Sequence, residues 1–229
     1  MDDHHVPRRR GRPAGMSGRE LLAVAREVLL ERGYAGTTMD EVAARARVSK
    51  ASLYRAHPSK AELYAAVVSD WAASGRDSMR PALQRLTEGS DVRSDLLRLT
   101  TTMRDGILGP DVFRMRRLVT AEAATHAQVA ASYLADSWNR NIDALADALA
   151  DLDRQGRLDI TEPRVAADQL TWLTVGAPLN AQLLTDGGNT TPDEQALSAA
   201  VDLFLAGYAA DRGPGDDAGP GVGRRSAAR

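Results

Sequence analysis

The chain has 229 residues, with 29 Lys and Arg against 31 Asp and Glu and no Cys. That length holds one large or two modest domains with real cores, and the missing Cys excludes disulfides and thiolate metal sites. The net charge of -2 hides an asymmetry: residues 1–60 carry twelve basic against seven acidic residues, the remainder seventeen against twenty-four, as expected if only the head meets a polyanion.

In chain order, the sequence opens with a basic arm, residues 1–16, containing Arg8-Arg9-Arg10-Gly11-Arg12-Pro13. Two readings of it stand. Arg10-Gly11-Arg12-Pro13 is similar to the core of an AT-hook, whose arginines enter a narrow A·T-rich minor groove. The other is a disordered basic tail adding non-specific attraction. In both, Arg8, Arg9, Arg10 and Arg12 face DNA. The arm lacks the apolar core of a signal peptide, and no apolar run is long enough to span a bilayer, so a cytoplasmic protein is expected, nucleoid-associated when on DNA.

Helical periodicity then runs almost unbroken, and an all-α fold of about nine helices follows. Leu21, Val24, Ala25, Val28 and Leu29 form the stripe of a first helix, opened by the capping box Ser17-Gly18-Arg19-Glu20 and closed by Gly33. Capping boxes recur at Thr38-Met39-Asp40-Glu41 and Ser59-Lys60-Ala61-Glu62, and Ser49 caps a short helix from Lys50 to Ala56 between them. Residues 17–64 thus form a helix-turn-helix domain of three helices leading into a fourth.

In such a unit the second helix of the pair enters the major groove. Leu53 points inward onto Val42, Ala43 and Val48. Lys50 and Arg55 can donate to guanine N7 and O6, and Ala51 or the Tyr54 ring can meet a thymine methyl. Ser52, the Tyr54 hydroxyl and Lys60 suit phosphate oxygens, and the helix start at Thr38 offers free N–H groups to another phosphate. The alternative is a solvated helical hairpin with basic residues for solubility.

The words Gly33-Tyr34, Thr37-Thr38, Val42-Ala43, Val48-Ser49-Lys50, Ser52-Leu53-Tyr54-Arg55 and Pro58-Ser59-Lys60 resemble the N-terminal domain of the TetR/AcrR family of transcriptional regulators. The resemblance implies an all-helical homodimer that binds an operator with one domain and a small molecule with the other. Two departures stand out. Arg47 occupies a turn position where the family commonly has Gly, so it is either strained or itself a phosphate contact. Ala56-His57 replaces His-Phe, so one phosphate contact is lost and His57 is expected buried and neutral in the apolar slot rather than on phosphate.

The body, residues 65–210, reads as helices over about 60–86, 91–107, 110–125, 127–155, 163–184 and 192–210. The long helix over 127–155 turns Ile142, Leu145, Leu149 and Leu152 to one face and stops at Gly156. Pro178 is expected to kink the helix over 163–184. Polar and aromatic residues interrupt apolar helices at Trp138, Asn139, Gln169 and Trp172, with Met103, Phe113 and Met115 on neighbours; they are candidate pocket residues, plain core being the alternative. Leu170, Leu173, Gly176, Ala177 and Leu184, with Leu197, Val201, Phe204, Leu205 and Tyr208, form two stripes expected to pair with a second subunit. The stretch from Arg117-Leu118-Val119 to Gln182 also resembles AefR-type C-terminal domains.

No catalytic constellation, cofactor motif or metal site is visible, since His126 alone among the histidines lies in the body and lacks an i+4 partner. The tail, residues 211–229, is rich in Gly and Pro without periodicity and reads as disordered. The expected function is sequence-specific binding of double-stranded DNA by a ligand-responsive homodimeric repressor. Activation, control by a protein partner, and an all-helical enzyme are the rivals.

Overall fold

A computed structural model describes residues 18–75, 78–185 and 194–210. The basic arm with Arg8, Arg9, Arg10 and Arg12, the first cap at Ser17 and the tail from 211 lie outside the described residues. Those described are all-α apart from an isolated antiparallel bridge between Leu158 and Ala209.

The head comprises α1 (Gly18–Gly36), α2 (Met39–Arg45) and α3 (Lys50–Ala56), followed by α4 (Lys60–Ser74). Each start after α1 is chemically marked. The Thr38, Ser49 and Ser59 hydroxyls accept from the N–H groups of Glu41, Ser52 and Glu62, each at 3.1 Å, satisfying donors that a helix leaves orphaned. Gly33 has φ +69° and interrupts the last turn of α1; a side chain there would be strained.

The body continues with α5 (Arg80–Glu88), α6 (Val92–Leu108), α7 (Pro110–Glu122), α8 (Ala127–Tyr133), a π-helical turn (Leu134–Asn139), α9 (Arg140–Arg154), α10 (Pro163–Leu183) and α11 (Glu194–Gly207). The expected helices form, but two are subdivided. The helix read over 60–86 stops at Gly75, and α5 restarts with Pro81 in its first turn, where a missing N–H costs nothing. The helix read over 127–155 contains the π-turn, invisible to a 3.6-residue periodicity. Gly156 stops α9 as expected, at φ +67°, with its N–H donating to Asp153 O and that of Arg157 to Leu152 O, a Schellman closure. α10 runs on through Pro178.

Two apolar cores result. The first joins Ala25, Val28, Leu29, Val42, Leu53, Leu63 and Val67 of the head and α4 to Met115, Leu118, Val119 and Tyr133 of α7 and α8. The second gathers Leu86, Leu96, Leu99, Leu145, Leu149, Leu152, Leu170, Val201 and Phe204. The head is therefore not an appendage, because its core is continuous with two body helices. His126 reinforces the join, its ring packing at 4.4 Å from Tyr34 and 5.3 Å from Tyr64.

Candidate nucleic-acid interface and body cavity

Only Leu53 of α3 is buried, at 0% exposure, while Lys50, Ala51, Ser52, Tyr54, Arg55 and Ala56 are exposed. One anchor on one face of a two-turn helix leaves the opposite face open. That face carries two cations, a phenol, a methyl and a hydroxyl, the side chains that read base edges and phosphates.

The turn before α3 is built like the end of α9, with a different residue at its critical point. Arg47 has φ +54°; its N–H donates to Ala44 O at 3.2 Å and that of Val48 to Ala43 O at 3.0 Å. This closure favours glycine. Arg47 is thus in the left-handed region, and its side chain is exposed beside the start of α3.

Ion pairs tie the head's other charges down. Glu31 accepts from both terminal nitrogens of Arg45, and that hydrogen-bonded guanidinium holds its carboxyl below the usual carboxylate range. Arg32 pairs with Glu41 at 3.3 Å. Lys50 donates to Asp40 Oδ2 at 2.6 Å, both side chains being about 60% exposed; the sequence reading missed this partner, because nothing periodic links positions across the turn. The start of α2 is less inviting to phosphate than expected: the Thr38 hydroxyl is used as a cap, and Asp40 and Glu41 occupy the first turn.

Lys60 requires a correction. Its ammonium donates to the carbonyls of Tyr34, Thr37 and Ala35 at 2.9, 3.1 and 3.4 Å and lies 4.5 Å from the centre of the Tyr34 ring. It closes the end of α1, where a cation complements the helix dipole, and is not the free phosphate donor expected. His57 is half-buried.

A cavity of 280 Å³ lies in the body where the two cores meet, walled by Trp71 and Ala72 of α4, Met103 and Ile107 of α6, Val112 and Arg116 of α7, Tyr133 of α8, and Ile142 and Leu145 of α9. The π-turn supplies three consecutive wall residues, Asp136, Ser137 and Trp138. Of the expected pocket residues, Met103 and Trp138 line this cavity. The others need correction. Phe113 and Met115 are buried helix-packing residues, and Asn141 takes the wall position expected of Asn139, because the π-turn changes which residues face inward. Gln169 and Trp172 sit on the outer face of α10, beside a separate groove.

Arg116 and Tyr133 went unnoticed in the sequence. Arg116 lies over the Trp138 ring at 4.9 Å, and burial disfavours its charge. Burial also raises the Tyr133 phenol above its ordinary range, opposed by the nearby guanidinium. A half-buried arginine has no sequence signature, since its neighbours come from other helices.

The stripes assigned to a partner subunit divide. Leu170, Leu197, Val201 and Phe204 are buried within the subunit, as the packing of α10 and α11 onto α6 and α9 demands, so they are corrected to core. Leu205 and Tyr208 are half-buried, with the Tyr208 hydroxyl donating to Gln169 Oε1 at 2.6 Å. Leu173, Ala177 and Leu184 remain outside, Leu184 at 80% exposure, together with Trp172 at 55% and Leu203 at 62%. Gly176 seats the Trp172 ring, which lies 2.9 Å from where a Cβ would stand.

Among the described residues no group of three His, Cys, Asp or Glu could hold a metal, and no helix is long and apolar enough to cross a membrane. Residues 21–67 match the family model of bacterial regulatory proteins, tetR family, and residues 94–210 that of the AefR-like transcriptional repressor C-terminal domain. The HTH-type transcriptional activator FasR of Mycolicibacterium smegmatis is 32% identical over 157 residues, 68% of this chain and 68% of that protein. The DNA-binding transcriptional repressor TetR of Mycobacteroides abscessus is 31% identical over 173 residues, 70% of this chain and 83% of that protein. A TetR-family regulator from Mesorhizobium loti, solved by crystallography, has a TM-score of 0.79 at 26% identity, covering 83% of this chain and 96% of that one.

Proposed function

We propose a specific mode of action for this chain, which belongs to the TetR family of bacterial transcriptional regulators and carries that family's DNA-binding domain: it is a cytoplasmic, ligand-responsive repressor that grips a pseudo-palindromic operator as a homodimer. Residues 17–64 read the operator and residues 65–210 bind the effector and the partner subunit. The open face of α3, anchored by Leu53 alone, is the observation that carries the reading. Lys50 and Arg55 contact bases, with Ala51 and Tyr54 beside them. Ser52 and Arg47 meet phosphates, with the N–H groups at Thr38 contributing less because Asp40 and Glu41 stand beside them, and the arm with Arg8, Arg9, Arg10 and Arg12 adds attraction. Two heads in a dimer engage half-sites about one helical turn apart.

The exposed apolar residues of α10 and α11, with Trp172, Leu173 and Leu203 lining one groove and Leu184 at the end of α10, support the homodimer, because such a surface is costly in water. The position of the 280 Å³ cavity supports ligand response. It is walled by residues from both cores, so filling it biases how the core that includes the head sits against the other. Coupling of this kind is reciprocal: effector weakens operator binding by the factor by which operator weakens effector binding. The rival reading, an activator, is favoured by the likeness to FasR, which is named an activator.

The test is a footprint on DNA flanking the protein's own coding region, followed by K50A and R55A. Each loss of a guanine contact is expected to cost about 1–3 kcal/mol of discrimination with the dimer intact. Undiminished operator selectivity in the double variant would remove α3 as the reader. Reporter output on deleting the gene separates repressor from activator.

A further inference from the structure

We propose that the body cavity binds a compact monocarboxylate, its carboxylate held by the Arg116 guanidinium and the Tyr133 hydroxyl and its apolar part lying against Trp71, Trp138 and Ile142. This rests on reading that cavity as the effector site and names the chemistry of the effector.

Two polar side chains meet at the cavity wall. Arg116 Nε is buried without a hydrogen-bond partner, and the Tyr133 hydroxyl lacks one of good geometry while lying within reach of the Arg116 guanidinium and of Ser137; both residues line the cavity. Among the described residues no carboxylate forms an ion pair with Arg116. The acidic wall residue, Asp136, lies 3.9 Å from Arg140. The Trp138 face beneath the guanidinium stabilises its charge in part, but its Nε still lacks an acceptor. Buried charges are otherwise paired, since stripping water from an ion is expensive. An arginine cannot shed its proton to escape that cost.

The ligand's class follows from charge and size. One guanidinium and one phenol match a single negative charge with two acceptor oxygens, which a carboxylate presents in the planar geometry that arginine favours. A phosphate dianion would carry excess charge into a site that holds one guanidinium and already one carboxylate, Asp136, its other walls being apolar (Met103, Ile107, Val112, Ile142, Leu145) or neutral and polar (Ser78, Thr102, Asn141). A volume of 280 Å³ sits at the small end of ligand cavities, which suits a compact ligand.

The experiment uses the full chain without DNA. Isothermal titration and thermal shift are measured with 2-naphthoate and octanoate, and with their primary amides, which match them in shape but are neutral. The acids are expected to bind and the amides to bind at least about tenfold more weakly. R116M is expected to lose the preference for acids and to melt above wild type, because a half-buried charge without an ionic partner has been replaced by an apolar chain of similar length. Y133F is expected to weaken the acids several-fold while leaving the amides unchanged, a second test independent of how Arg116 variants fold. Equal affinity for acid and amide, acid binding that survives R116M, a lowered melting temperature in R116M, or no binding by either acid would each overturn the proposal. Operator affinity with and without bound acid is measured separately. Arg116-dependent binding that leaves operator affinity unchanged would refute the effector reading and leave the carboxylate site standing.

Discussion

Replacing Arg47 by glycine separates the two properties of that residue, backbone strain and charge. Arg47 sits at φ +54° in a turn whose two closing hydrogen bonds, at 3.2 and 3.0 Å, are both between backbone groups and so survive any side-chain change. A left-handed conformation costs a non-glycine residue about 1–2 kcal/mol, which R47G recovers. The glycine in turn adds unfolded-state freedom worth about 0.4–1 kcal/mol. The net is a gain of about 0.5–1 kcal/mol, and for a chain of this size each kcal/mol moves the melting temperature by about 2–4 °C, so R47G is expected to melt about 1–4 °C higher. Binding moves the other way: losing one phosphate-contacting cation from each of the two heads should lower the slope of log affinity against log salt by about 1.8, about 0.9 per cation. Thermal melts and fluorescence anisotropy on the operator across a salt series measure the two. R47A is the control, keeping the strain while removing the charge; it should reproduce the reduced slope without the gain in stability. A fall in melting temperature for R47G would refute the strain argument, and an unchanged slope would remove Arg47 from the phosphate contacts.

Other outcomes follow from the same geometry. D40N frees the Lys50 ammonium from its partner at 2.6 Å; affinity for every duplex should rise at low salt and the preference for operator should narrow, while an unchanged ratio would mean the pair is irrelevant on DNA. L203E, with L184E as a second variant, places charge in the exposed row on α10 and α11, so sedimentation should detect monomers of intact helicity; a dimer that persists in both puts the interface elsewhere. L53A removes the anchor of α3 and should cost about 2–5 kcal/mol, read by denaturant unfolding; a smaller loss would mean that the turn holds α3 without it. Burial pushes the Tyr64 phenol up to about 12, with Glu122 and Tyr34 adding to the effect. The folded state therefore resists an ionisation that begins near pH ~10 in the unfolded chain, so the associated stability is intact below about pH 10 and lost between about 10 and 12. Y64F should unfold at a higher alkaline pH by circular dichroism and change little at neutral pH, because that hydroxyl has no partner; an unmoved alkaline midpoint would assign base unfolding to other groups.

The head was legible from residues alone because its determinants are local. A serine or threonine hydroxyl caps the helix that begins beside it, a glycine marks the break in α1, and one leucine in a seven-residue helix must face inward. The composition of the α3 face, and hence the kind of partner it suits, follows from those constraints without knowledge of the rest of the molecule. Helix periodicity carried most of the body, including the face of Ile142, Leu145, Leu149 and Leu152 and the stop at Gly156.

What escaped depends on approach between distant segments. Leu170 and Val201 have the same apolar character as Leu184 and Leu203, yet the first two are buried and the latter are 80% and 62% exposed; periodicity defines a stripe, but only packing decides which edge of it a neighbouring helix covers. Lys60 was read as a phosphate donor because it is a cation near a reader helix, whereas the carbonyls at the end of α1, more than twenty residues away in sequence, accept its hydrogen bonds. The π-turn moved the cavity wall off the expected register, and Arg116 and Tyr133 acquired their unsatisfied donors only when α7, α8 and the π-turn closed around one space. Short-range hydrogen bonding and periodicity reach a few residues along the chain; burial, and the electrostatics that burial creates, exist only after the helices have met.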